Sequence, residues 1–124
     1  MAKEGIWLEL AEEDILWAEA SLRENILRGA CFAAQQAAEK ALKAFLLSRN
    51  VQTPKMHDLV ALNEKCMEIE ASFKDLSEGC NILSPYYLSS RYPDVIQFER
   101  YSEEMAKEAV NQAEKIVNFI KARI

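Results

Sequence analysis

Apolar residues recur along this chain at helical steps almost without interruption. Between Ile6 and Leu27 the residues Leu8, Ala11, Ile15, Ala18, Leu22 and Ile26 follow one another at intervals of three and four. That spacing is one stripe of an amphipathic helix, with Glu12, Glu13, Glu19 and Arg23 on the opposite face. Arg28-Gly29 reads as the stop or tight connection that follows. The pattern then predicts a second helix over Ala30–Arg49, with Ala30, Ala34, Ala37, Ala41 and Phe45 as one stripe and Ala38, Leu42 and Leu46 widening it. Alanine is the strongest helix former. Its small side chain also lets neighbouring helices come close, so this helix is expected to be central.

Asn50 to Met56 reads as a loop, because Pro54 disfavours a helical Thr53. A third helix should start at His57 or Asp58 and bury Leu59, Leu62, Cys66 and Ile69. Ser72-Phe73-Lys74-Asp75 resembles a capping box and should open a fourth, carrying Phe73, Leu76, Cys80 and Leu83 until Ser84-Pro85 breaks it. Asp94 with Gln97 is a second capping pair. It predicts a last helix through Phe98, Tyr101, Met105, Ala109, Ala113, Ile116, Ile120 and Ile124. No segment alternates with the period of a strand. The expectation is an all-α, up-and-down bundle of four or five helices, forming one domain over residues 1–124.

Composition sharpens this picture. Gly and Pro number three each, which disfavours a turn-rich β architecture. A chain of 124 residues buries roughly two thirds of its unfolded surface and needs no metal or disulfide to fold. Cys31, Cys66 and Cys80 are odd in number, lack CxxC spacing and fall at apolar helical positions. They read as buried free thiols in a reducing cytoplasm. The net charge of −5 argues against nonspecific nucleic-acid binding. The start of the chain turns acidic too early for a signal peptide, and no apolar run is long enough to cross a membrane.

The chemistry the sequence can offer is limited. Glycines at 5, 29 and 79 form neither a phosphate loop nor a dinucleotide fingerprint. One histidine without clustered cysteines argues against a zinc site, and no cofactor is expected. Adjacent carboxylates such as Glu12-Glu13 and Glu103-Glu104 are splayed across their helices. Three places remain. His57-Asp58 stands at a helix start, where one residue should cap the helix and His57 should bond a nearby backbone group, or else make a polar contact at a binding site. Glu39, Lys40 and Lys43 share a turn and read either as a solvated face with an i,i+4 pair or as cations facing a groove. Gln35 and Gln36 interrupt the alanine-rich face and mark a dimer seam or a groove. The segment Ser90-Arg91-Tyr92-Pro93-Asp94 is the most unusual. A guanidinium suits bidentate contact with phosphate or carboxylate, and a tyrosine ring can stack on a base. The structural alternative is a loop that locks the bundle.

Taken together, Gly29-Ala-Cys-Phe-Ala-Ala-Gln-Gln-Ala-Ala-Glu-Lys-Ala-Leu-Lys-Ala44, His57-Asp-Leu59, Ser90-Arg-Tyr-Pro-Asp94 and Ala109-Val-Asn-Gln-Ala-Glu-Lys115 resemble the HEPN family in order and spacing, over about residues 5 to 122. The resemblance is to the branch found in small prokaryotic proteins. It implies a helical bundle that pairs into a homodimer and is encoded beside a minimal nucleotidyltransferase, in two-component or toxin–antitoxin systems. It implies no catalytic residue here. Some members are metal-independent ribonucleases with an Arg-x4–6-His motif, but His57 is the sole histidine and Arg49 precedes it by seven intervening residues. The expectation is therefore a nucleotide- or partner-binding module, not itself an enzyme, with Arg91, Tyr92, His57, Lys43 and Lys40 as contact residues. The alternatives are a ribonuclease toxin of this family and an interaction protein without a small-molecule ligand.

Overall fold

In the computed structural model the described residues are 3–53, 55–89 and 100–124. They form α1 (Lys3–Arg23), α2 (Leu27–Ser48), α3 (Leu59–Ile69), a 3₁₀ turn over Ala71–Leu76, α4 (Ser77–Leu83), the single turn α5 (Tyr86–Ser89) and α6 (Glu103–Lys121). The architecture is the all-α bundle that the periodicity predicts.

The alanine-rich α2 is its axis. It packs against α1, α3, α4, α5 and α6. Ala30, Ala33, Ala34, Ala37, Ala38, Ala41 and Ala44 are all fully buried, as are Leu42, Phe45 and Leu46. Side chains this small let helices approach closely on several sides at once. Where α2 is wider, Phe45 packs on Phe73 of the 3₁₀ turn at 4.4 Å between ring centres, and Phe73 meets Phe119 of α6 edge-on at 5.0 Å. Three elements distant in sequence thereby share one aromatic joint. All three cysteines are buried free thiols. Burial pushes each up to about 12, with Tyr86 hydrogen-bonded to Cys31 pulling in the other direction.

The structure corrects the sequence reading at four boundaries. The first connection is at Glu24–Ile26, not Arg28-Gly29, which lies inside α2. Asn25 adopts a left-handed φ of 60°, and the Ile26 and Asn25 amides donate back to the Ser21 and Leu22 carbonyls. This is a Schellman closure with asparagine in the place usually taken by glycine. Gly29 serves a different need, since a Cβ there would lie 3.0 Å from Ile26 Cγ2. Asn50, at φ 61°, closes α2 in the same manner.

The second correction is the capping box. Ser72 donates to Glu70 instead of capping, and the chain passes through a 3₁₀ turn before α4. That bond, with Arg123 beside it, holds the Glu70 carboxyl below the usual range. Third, α6 is capped by Ser102, whose hydroxyl accepts from the Met105 amide at 3.1 Å. Tyr101 therefore precedes the helix, although it still packs on the core. The Asp94–Gln97 pair and Phe98 lie outside the described residues. Fourth, Ile26, Ile69 and Ile124, each expected in an apolar stripe, are exposed. Among the described residues no helix is long and apolar enough to cross a membrane.

Candidate functional site

The polar residues that interrupt α2 do not face solvent as a charged stripe. Because α2 is central, Gln35 is fully buried, and Glu39 and Lys43 are only 4% and 6% exposed. The expected i,i+4 pair does form, with Lys43 Nζ 3.0 Å from Glu39 Oε2, but inside the protein. The reading of a solvated face is thus corrected. Lys43 also lies 5.6 Å from the centre of the Trp7 ring. One turn away, Lys40 pairs with Asp14 of α1 at 2.6 Å. Neither lysine is a bare cation facing a groove.

Glu39 is the hub. Its Oε1 accepts from Gln35 Nε2 at 3.3 Å, and His57 Nδ1 lies 3.1 Å from Oε1 and 3.0 Å from Oε2. Gln35 Nε2 also lies 3.3 Å from the His57 carbonyl oxygen, and Gln36 donates to Gln35 Oε1 at 2.6 Å. A buried carboxylate is tolerated only with such donors around it. Gln35 therefore ties the His57 loop to α2, and Gln36 holds the Gln35 amide in place.

His57 itself is half-exposed, with 48% of its side chain accessible. It bonds a side chain and not the backbone group expected of it. The helix cap is Asp58, whose carboxylate accepts from the Val60 and Ala61 amides. Just beyond it, the Leu59 amide donates to Ser84 Oγ at 3.3 Å. The imidazole lies flat on Tyr87 of α5, 4.1 Å between ring centres and 10° between planes. Tyr87 continues to Phe32 at 6.4 Å, and Phe32 to the exposed Trp17 at 6.1 Å. An aromatic row thus runs from α1 across α2 to the His57 loop.

The structure therefore brings His57 and Lys43 together through Glu39 and sets Lys40 one turn away. Arg91 and Tyr92 lie outside the described residues; in sequence Ser90 separates them from α5, which carries Tyr87. Sequence reasoning missed Glu39, Tyr87, Phe32 and Trp17 as members of this region. The burial of Glu39 had one legible signal, the alanines flanking it on every side of α2.

A second polar region lies on the other side of α1. Glu12, Ile15, Leu16 and Glu19 of α1 and Glu114, Val117, Asn118 and Lys121 of α6 line a groove of about 540 Å³. Lys121 pairs with Glu12 at 3.1 Å. Hydrogen bonding to Glu19, with some burial and charge repulsion, pushes the Glu114 carboxyl up to about 7. No group of three or more metal-ligating side chains occurs among the described residues.

With this geometry in place, the relatives can be compared. The HEPN domain family matches residues 5–123. The chain is 27% identical, over 94% of its length and 84% of the other, to MJ1304 of Methanocaldococcus jannaschii, whose name describes a candidate toxin. It superposes on TT1696 of Thermus thermophilus with a TM-score of 0.90 and 35% identity, covering 100% of both chains. It superposes on the archaeal HEPN homologue ST0689 with a TM-score of 0.81 and 30% identity, covering 99% and 98%. The family match, nearly end to end, and these two superpositions agree with the all-helical architecture: the protein belongs to the HEPN domain family.

Proposed function

We propose that this chain is a binding module of a two-component, toxin–antitoxin-like pair, which forms a homodimer and engages a minimal nucleotidyltransferase, with a nucleotide at or near the contact. The observation that carries the reading is the mounting of His57. An exposed side chain normally retains its rotamer freedom. This one is held at its edge by Glu39 and across its face by Tyr87, yet stays half-accessible. Holding a contact residue in place beforehand removes the entropy loss that binding would otherwise carry. Arg91 and Tyr92, which follow Tyr87 closely in the chain, are the residues whose chemistry suits contact with phosphate or carboxylate and stacking on a base. Lys43 and Lys40 support it through their ion pairs. The region lies within the cytoplasmic, soluble module the sequence predicts.

The test is affinity capture of the tagged protein from its own organism, with every retained protein identified and quantified. A small nucleotidyltransferase at comparable amounts is the expected result, lost in Arg91→Ala with an unchanged melting temperature. Recovery of the chain alone contradicts the reading. A nucleotide held at about 100 times its dissociation constant should add roughly 2.7 kcal/mol to the stability of the complex.

A second reading is favoured by one specific contact. A histidine whose Nδ1 meets a carboxylate is the arrangement of a general acid or base. With the toxin-describing name of MJ1304, it supports a metal-independent ribonuclease. Cleavage of mixed RNA by the purified protein in chelator, abolished by His57→Ala, would establish it. Absence of cleavage removes it.

A further inference from the structure

We infer that Glu39 is a positioning residue, which fixes the tautomer of His57 so that Nδ1 carries the proton inward and Nε2 is the nitrogen offered to a ligand. This inference rests on the reading of His57 as the contact residue, and it specifies which atom makes the contact.

A carboxylate only accepts hydrogen bonds. His57 Nδ1 lies within 3.1 Å of both Glu39 oxygens, so a bond there requires the proton on Nδ1. The same oxygens already take Gln35 Nε2 and Lys43 Nζ, which keep the carboxylate aimed and compensated although it is almost wholly buried. In a neutral imidazole one nitrogen donates and the other accepts. Nε2 is therefore the acceptor. The two ring nitrogens diverge, so Nε2 points away from Glu39, and among the described residues no hydrogen bond reaches it. Tyr87 covers one face of the ring, and 48% of the side chain stays accessible. The alternative tautomer would set a lone pair of Nδ1 against a buried carboxylate, a repulsive contact in a region of low dielectric.

The experiment is long-range ¹H–¹⁵N correlation of the imidazole in the ¹⁵N-labelled full-length chain, where a single histidine makes the assignment unambiguous. In the neutral ring the expected spectrum has Nδ1 of the protonated type and Nε2 of the unprotonated type. A spectrum with the proton on Nε2, or an equal mixture of the two forms, overturns the inference whatever any variant does. The companion variant is Glu39→Met with Lys43→Met, which removes the acceptor without leaving a buried cation unpaired. In this variant the second tautomer should appear, and an unchanged spectrum shows that Glu39 does not set the tautomer. Failure here leaves the functional reading standing, because capture of a nucleotidyltransferase is read independently. Failure of capture likewise leaves the tautomer result intact.

Discussion

Glu39 and Glu114 are carboxylates on neighbouring helices that were given opposite company. Glu39, on α2, is nearly inaccessible and is met by an ammonium, an amide and an imidazole. Glu114, on α6, lies in an open groove and is met by another carboxyl, that of Glu19. The buried group is compensated from several sides and becomes a rigid mount. The more accessible group holds its proton more tightly, because a hydrogen bond to Glu19 comes first and charge repulsion last among the causes. Environment, not residue type, separates a mounting point from an electrostatic weak spot.

The largest effect is expected of Glu39→Ala. It would leave the Lys43 ammonium buried without its partner, and breaking a buried pair in this way costs about 3–5 kcal/mol. A large fall in the urea unfolding midpoint should report it. Replacing both members by methionine should recover most of the loss. A change of under about 1 kcal/mol in the single variant would mean that water reaches Lys43, and that the mount is softer than its burial implies.

The next effect is at the loop that presents His57. Asp58→Ala removes the cap on α3 and should cost about 1 kcal/mol in chemical denaturation, with the aromatic packing of the core intact.

Glu114 predicts a pH dependence. Its folded value is raised to about 7 from an ordinary 4.5. A raised carboxyl binds a proton more tightly in the folded state. The stability it contributes is fully present below the unfolded value and is lost as pH rises through the folded one. Melting of the wild type should therefore weaken between about pH 5 and about pH 8 relative to Glu114→Gln, which keeps a hydrogen-bonding group without the charge. Parallel profiles for the two proteins would show that the two carboxyls do not meet in solution. Because Glu114 is largely solvated, this effect should be smaller than either loss at the His57 site.

The smallest effect belongs to the exposed Lys121–Glu12 pair at the end of the same groove. Lys121→Ala should change stability by no more than about 0.5 kcal/mol.

Most of the fold was legible in the spacing of apolar residues, because each helix buries one stripe and α2 buries nearly all of its surface. What escaped was conditional on partners far along the chain. Periodicity places Glu39 and Lys43 together on α2, but only the packing of α1 and the His57 loop decides that the pair is inside. Asn25 closes α1 in a conformation that glycine would have signalled more plainly. Ser72 had the spacing of a cap, but its hydroxyl donates to Glu70 and accepts from no helix amide, the usual competition between local side-chain bonds and helix starts. At the candidate site, His57 was legible as the lone histidine at a helix start. Tyr87 and Glu39 were not legible as its neighbours, since their approach is created by the bundle.

Everything proposed for this HEPN protein turns on the mounted His57 as the place where it meets its partner. The most direct measurement is quantitative capture from the native organism with the wild type and with His57→Ala side by side, after confirming equal melting temperatures. The wild type should retain a small nucleotidyltransferase in comparable amounts, and the variant should lose it. Equal retention by both proteins, or retention of none by the wild type, would contradict it.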